Sequence, residues 1–201
     1  MTNPISNVLR VEEIHTPRLD LIATTLEVVQ CERDGGPDVY ARLAALVGAE
    51  IPPQWPPQDW EPHVLDFLLR QMQEHPHTAG WGRLVALRDA ATGRRTLIGT
   101  VGGIPPGTEM AKAPSGEIEI GYGVLPAYQK HGYATEASAA LCRWVQTQVE
   151  VTAFVAQTFP HLQASIRVLE KSGFQLAGAG FEEGTILFRR ECETIVPARK
   201  T

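Results

Sequence analysis

The sequence predicts a single α/β (α+β) domain, with a mixed central sheet flanked by helices. Three observations carry this. At 201 residues the chain fits one domain with a substantial core, and it has no linker or internal repeat to divide it. Within Glu117–Val124, Ile118, Ile120, Tyr122 and Val124 alternate with Glu117, Glu119, Gly121 and Gly123, the period of a strand. A helical stripe follows (Ala137, Ala140, Leu141, Trp144, Val145, Val149), and then the β-branched and aromatic run Val151–Phe159. Strand, helix, strand in that order is a crossover, so the two strands should lie parallel.

The other elements follow in chain order. Met1–Thr16 reads as a flexible lead, with loose ends expected over about residues 1–15 and 194–201. Arg18–Ala23 alternates Leu19 and Leu21 with polar neighbours and suggests a first strand. Thr24 or Thr25 can cap a helix to about Arg33, which Asp34–Pro37 breaks. Val39, Leu43, Leu46 and Val47 mark a short helix closed by Gly48. Ile51–Pro62 holds five prolines and two tryptophans, so it is an ordered loop rather than a strand. Trp55 and Trp60 either pack on the core or wall an acceptor pocket. Val64, Leu65, Leu68, Leu69 and Met72 stand at helical spacing. His75 and His77 lack further ligands and read as a helix-end loop, not a metal pair. Trp81–Arg88 and Arg95–Gly103 are partner strands around an Asp89–Arg94 turn, and Ile104–Ser115 is a surface loop. After the crossover come a helix over Leu162–Ser172, with Leu162, Ile166 and Leu169 on its stripe and Gly173 as its stop. Phe174–Ala177 and Thr185–Glu191 are closing strands around a Gly178–Gly184 turn.

Composition narrows the function. A net charge of −5 without a basic run disfavours nucleic acid. Cys31, Cys142 and Cys192 are odd in number, widely spaced and without a metal pattern, so they read as reduced thiols and no metal is expected. No apolar run approaches spanning length and the start is no signal peptide, so we expect no membrane association and a cytoplasmic location.

The chemistry gathers after the central strand. Glu117 and Glu119 share one face with Gly121 and Gly123, which leave a bare floor beyond the acids. Pro126 ends the ladder. In Gln129-Lys130-His131-Gly132-Tyr133-Ala134 the small residues clear a turn at a helix start, whose unpaired N–H groups and dipole suit a phosphate. An ordinary crossover turn would also hold such a glycine. Cys142, mid-helix with no His or cationic cluster beside it, is not a nucleophile.

Gln129-x-x-Gly132-x-Ala134 matches the acyl-CoA signature Gln/Arg-x-x-Gly-x-Gly/Ala of the GNAT acetyltransferase superfamily. EIEIGYGVLPAYQKHGYATEA, the early TPRLDLIATT (Thr16–Thr25) and the late ASIRVLEKSGF (Ala164–Phe174) resemble its RimJ/RimL-like branch. The resemblance implies a sheet splayed at an acyl-CoA cleft, with acetyl-CoA as co-substrate. Its diphosphate would rest on the backbone of Gln129–Ala134 and the start of the helix at Thr135, with Lys130, His131 and Tyr133 around it. Its pantetheine arm would pair with Val124 and Leu125. The implied reaction is direct acetyl transfer to a primary amine, either a small molecule or a protein N-terminus. A homodimer is the oligomer entertained.

Glu119 is the expected base and Glu117 the understudy; both could instead be solvent-facing strand residues. Relatives often carry a tyrosine as leaving-group acid where this chain has Leu169, and an asparagine where it has Leu162. Ser165 survives and can meet the thiolate, or can simply bond its own helix; His161 is a further option. A CoA-binding sensor without turnover is the competing function. A P-loop is excluded, because the chain lacks Gly-x-x-x-x-Gly-Lys-Ser/Thr.

Overall fold

The computed structural model describes residues 11–57 and 62–192. Its described strands are β1 (Ile14–His15), β2 (Leu19–Ala23), β3 (Gly82–Arg88), β4 (Arg95–Gly103), β5 (Glu117–Val124), β6 (Ala153–Thr158), β7 (Gln175–Ala179) and β8 (Ile186–Glu191). They form one sheet in the order β1-β2-β3-β4-β5-β6-β8-β7. Every pairing is antiparallel except β5 with β6, the crossover pair expected from the strand–helix–strand pattern. The helices are α1 (Leu26–Asp34), α2 (Val39–Val47), α3 (Pro62–Glu74), α4 (Tyr133–Gln148) and α5 (Gln163–Lys171).

Local chemistry explains the boundaries. Thr25 caps α1 by accepting from the Val28 N–H, a contact worth about 1 kcal/mol. Gly48 ends α2 in the left-handed conformation. The Asp89 carboxylate accepts from the Ala91 and Thr92 N–H groups and so holds the β3–β4 turn.

Two apolar cores occupy the two faces of the sheet. On one, Ile118, Ile120 and Phe154 meet Ala137, Ala140, Leu141 and Val145 of α4 and Leu169 of α5. On the other, Val28, Leu43, Val47 and Trp55 meet Leu84, Leu97 and Leu125. Trp55 is thus a core residue, its indole N–H donating to Glu32. Trp60 lies outside the described residues.

Several expectations change. Ile14–His15 is not a loose lead but pairs with Asp20–Leu21, because Asp20 draws His15 to 2.7 Å. Of the expected loose ends, residues 1–10 and 194–201 lie outside the described residues. Leu162 precedes α5 and is exposed, so that helix buries only Leu169 fully. β7 runs on to Ala179, so the turn after it begins at Gly180.

Candidate active site

β5 is joined to β4 along most of its length but to β6 only at Glu117↔Ala153, Ile118↔Phe154 and Glu119↔Val155. Beyond that rung β6 continues to Thr158, paired only with β8. The two parallel strands therefore part just after Glu119 and leave a gap in the sheet.

The register shows what faces this gap. The Leu125 N–H donates to Ile98 and the Ile104 N–H to Glu119, both across to β4. In an antiparallel pair such groups alternate, so Ile120, Tyr122 and Val124 turn their backbone groups toward the β6 side. Val124, expected to pair with the pantetheine arm, has its backbone on this side, and its carbonyl accepts from the Gln129 side chain at 2.9 Å. Leu125 is not so placed. Its N–H serves Ile98, its carbonyl accepts from Tyr128, and its side chain is in the core.

At the far end of the gap, Lys130 and Gly132 adopt φ values of 65° and 83°. Gly132 is the N-cap of α4 and no side chain caps that helix. The N–H groups of Gly132, Tyr133, Ala134 and Thr135 have no acceptor within the helix, as at any helix start. Tyr133 stacks with His131, with ring centroids 5.6 Å apart.

Arg18, just before β2, reaches this loop and is a residue sequence reasoning missed. Its Nε donates to Glu136 Oε2 at 2.7 Å, its Nη1 to the His131 carbonyl at 2.9 Å, and its guanidinium lies 4.6 Å from the Tyr133 ring centre. Thr16 Oγ1 and the Arg18 N–H both donate to Glu136 Oε1. Burial works to raise the Glu136 carboxyl, and these bonds outweigh it and hold the group below the usual carboxylate range. Thr16 and Arg18 belong to the TPRLDLIATT stretch and Glu136 to the TEA run, so the resemblance held the available signal.

At the near end of the gap, Glu119 departs from a solvent-facing strand residue. It is only 7% exposed. Oε1 accepts from Gln157 Nε2 at 2.8 Å, while Oε2 is buried without a partner. Burial pushes this carboxyl up; the Gln157 bond pulls it down less strongly. Glu117, by contrast, is taken by Arg189 at 3.0 Å. Beyond the acids the floor is as bare as expected at Gly121, where a β-carbon would meet nothing within 4 Å. At Gly123 it would meet Pro57, so the proline-rich loop borders this floor.

On the opposite face stands Ser165. The Tyr122 hydroxyl donates to the Ser165 carbonyl at 3.1 Å and lies 3.3 Å from its Oγ. Burial pushes Tyr122 up to about 12, so it stays protonated across the working range. Leu169 is in the core, and His161 is exposed and stacked on Phe159. Cys142 is buried in the α4 core, and burial pushes its thiol up to about 11, the reverse of what a nucleophile needs.

Residues 37–175 match the family model described as Acetyltransferase (GNAT) domain. The chain belongs to the GNAT acetyltransferase family. Solved structures agree on the fold. An acetyltransferase from Agrobacterium tumefaciens str. C58 is 22% identical with a TM-score of 0.57, covering 90% of this chain and 95% of the other. RimL, described as ribosomal L7/L12 alpha-N-protein acetyltransferase in complex with Coenzyme A, is 18% identical at TM-score 0.55, with coverage of 90% and 98%. Ribosomal-protein-S5-alanine acetyltransferase from Vibrio fischeri is 16% identical at TM-score 0.57, with coverage of 90% and 97%. No curated protein sequence matches the chain.

The one three-membered group of metal-ligating side chains among the described residues is Glu13, His15 and Asp20. Arg95 pairs with Glu13, and Arg88 with Asp20, so the acids are already neutralised by guanidinium groups. Among the described residues no helix is long and apolar enough to cross a membrane.

Proposed function

We propose that this GNAT protein is an N-acetyltransferase that moves the acetyl group of acetyl-CoA to a primary amine by direct attack in a ternary complex. The observation that carries the reading is the position of Glu119. A buried carboxylate with one unpartnered oxygen sits where β5 and β6 part, and the open start of α4 lies at the other end of the same gap.

Three tasks fall to the chain. The N–H groups from Gly132 to Thr135 and the positive end of α4 receive the diphosphate, with Lys130 and His131 beside them. The Val124 backbone pairs with the pantetheine arm and sets the thioester in the gap. Glu119 Oε2 first meets the acceptor ammonium and then takes its proton, directly or through water. The nitrogen lone pair attacks the thioester carbonyl, a C–N bond forms, the C–S bond breaks, and the thiolate leaves toward the Ser165 side. No metal takes part in this scheme.

The acceptor is a small-molecule amine or a protein N-terminus. Two structural neighbours are named for acetylating ribosomal proteins, which keeps the second class in view. The sensor reading draws on Leu169, where no acid is available; the half-buried Tyr122–Ser165 pair beside the gap weighs against it. The deciding experiment is thiol release from acetyl-CoA against a broad amine panel, with wild type and Glu119→Gln. Turnover in wild type and a loss of roughly 10²–10⁴-fold in the variant support the reading. Binding of acetyl-CoA without turnover on any amine would favour the sensor.

A further inference from the structure

Glu119 is held by one residue that none of the sequence motifs marks. Gln157 stands on β6, two positions beyond the last rung shared with β5. Its Oε1 accepts three hydrogen bonds from the β7–β8 turn: the Phe181 N–H at 3.0 Å, the Glu182 N–H at 3.1 Å and Thr185 Oγ1 at 2.9 Å. Two of these donors are backbone amides and cannot reverse their role, so the oxygen of the Gln157 amide must face the turn. Its NH₂ is thereby directed at Glu119 Oε1, at 2.8 Å.

The consequence lies in which carboxylate oxygen remains without a partner. Oε1 is occupied by a fixed donor and Oε2 is buried with no partner. A carboxylate oxygen without a protein partner keeps all its lone pairs for an incoming ammonium. A carboxylate with neither oxygen bonded, in so buried a place, would be driven to take up a proton. A single fixed donor gives a carboxylate whose other oxygen is left for the substrate.

We propose that Gln157 is a positioning residue for the transfer reaction: locked by the Phe181–Thr185 turn, it fixes Glu119 and leaves Oε2, the oxygen without a protein partner, to take the acceptor proton. This rests on the reading of Glu119 as base. It also makes the β7–β8 turn part of the acceptor site, because that turn sets the amide and so the carboxylate. The other charged groups acting on Glu119 are Glu182 on the turn and Lys112 on the β4–β5 loop, which pair with each other at 3.3 Å.

Two variants separate the amide's donor from its anchor. Gln157→Glu keeps an oxygen for the turn but sets a carboxylate against Glu119 in place of a donor. Gln157→Leu removes both. The first readout needs no acceptor: side-chain carboxyl NMR titration, with the Glu119 signal assigned by its absence in Glu119→Gln. Both Gln157 variants should move the Glu119 midpoint upward, since the bond that favours its ionised form is gone. The second readout is the pH profile of kcat/KM with the amine found by the panel. Its acid limb should move to higher pH, with about a tenfold loss below neutrality and an unchanged KM for acetyl-CoA.

A purely structural role for Gln157 predicts a lower Tm with the NMR midpoint and acid limb in place, and that result overturns the proposal. Failure of the underlying reading looks different: Glu119→Gln itself would keep the wild-type acid limb and rate. If Glu119→Gln abolishes the limb while both Gln157 variants retain it, the base stands and the positioning residue falls.

Discussion

Arg18 and Glu136, 118 residues apart in the chain, meet through Nε and Oε2 at 2.7 Å and tie the start of β2 to the first turn of α4. Through Nη1 the same guanidinium holds the His131 carbonyl, so one side chain braces both arms of the turn that Gly132 closes. The pair is partly exposed, and such pairs are worth only about 0–1 kcal/mol to folding. Its value is in fixing the loop. Arg18→Met should therefore leave Tm within a few degrees of wild type, yet weaken acetyl-CoA by roughly tenfold in calorimetric titration, a change of about 1.4 kcal/mol. Unaltered affinity would show that the loop keeps its shape unaided.

Gly132 tests the same loop from within. At φ 83° a β-branched residue is strained, costing about 1–2 kcal/mol, and its side chain would stand at the open helix start. Acetyl-CoA should raise the Tm of wild type, while NAD and ATP at equal concentration do not. Gly132→Val should lose that shift. A full shift in the variant would place the cofactor elsewhere.

The buried carboxylate of Glu119 has a stability signature that needs no substrate. Its pKa is raised in the folded state, chiefly by burial. Such a group contributes stability fully below the unfolded value, near 4.5, and that contribution is lost as pH rises through the folded value. Above that value the buried charge is a burden to the fold, and at pH 8 Glu119→Gln should melt higher than wild type, by about 2–4 °C for each kcal/mol relieved. The advantage should vanish below pH 4.5. Equal melting temperatures at pH 8 would mean that the carboxylate is better solvated than its burial indicates.

Much of the architecture was legible because it rests on local periodicity. The alternation in Glu117–Val124 is a property of neighbouring residues, as are the α4 stripe, the glycine stop after α2 and the turn at Asp89. The site is less local. That Glu117 is neutralised by Arg189 follows from a strand 72 residues further on. Gln157 acquires its role from a turn 24 to 28 residues downstream. Trp55 could be read as core or as pocket wall from the sequence, and the packing of Val28, Leu43 and Leu97 around it decided for the core. Leu125 sits one residue past a correctly read strand, and the pleat alone determines that its N–H points to β4 rather than into the gap.

Ser165 is the residue for which the pair with Tyr122 makes the sharpest prediction. The Tyr122 phenol, at about 12, does not ionise in the working range, so it keeps its single proton, given to the Ser165 carbonyl, with its oxygen 3.3 Å from Ser165 Oγ. If Ser165 Oγ–H meets the departing thiolate, the Tyr122 hydroxyl can supply a bond to the serine oxygen as its proton swings toward sulfur. Ser165→Ala should then lower kcat by roughly 10–10²-fold while leaving the acid limb of the profile in place, since the thiolate and not the amine is affected. Tyr122→Phe should cost less and in the same direction, because it removes only the supporting bond. The effect on the two together should fall short of the product of the single effects, as expected for residues that act as a unit. The measurement is a double-mutant cycle on kcat at several pH values. Fully multiplicative losses would show that the two hydroxyl groups do not act together, and wild-type turnover in Ser165→Ala would assign the serine to its helix alone.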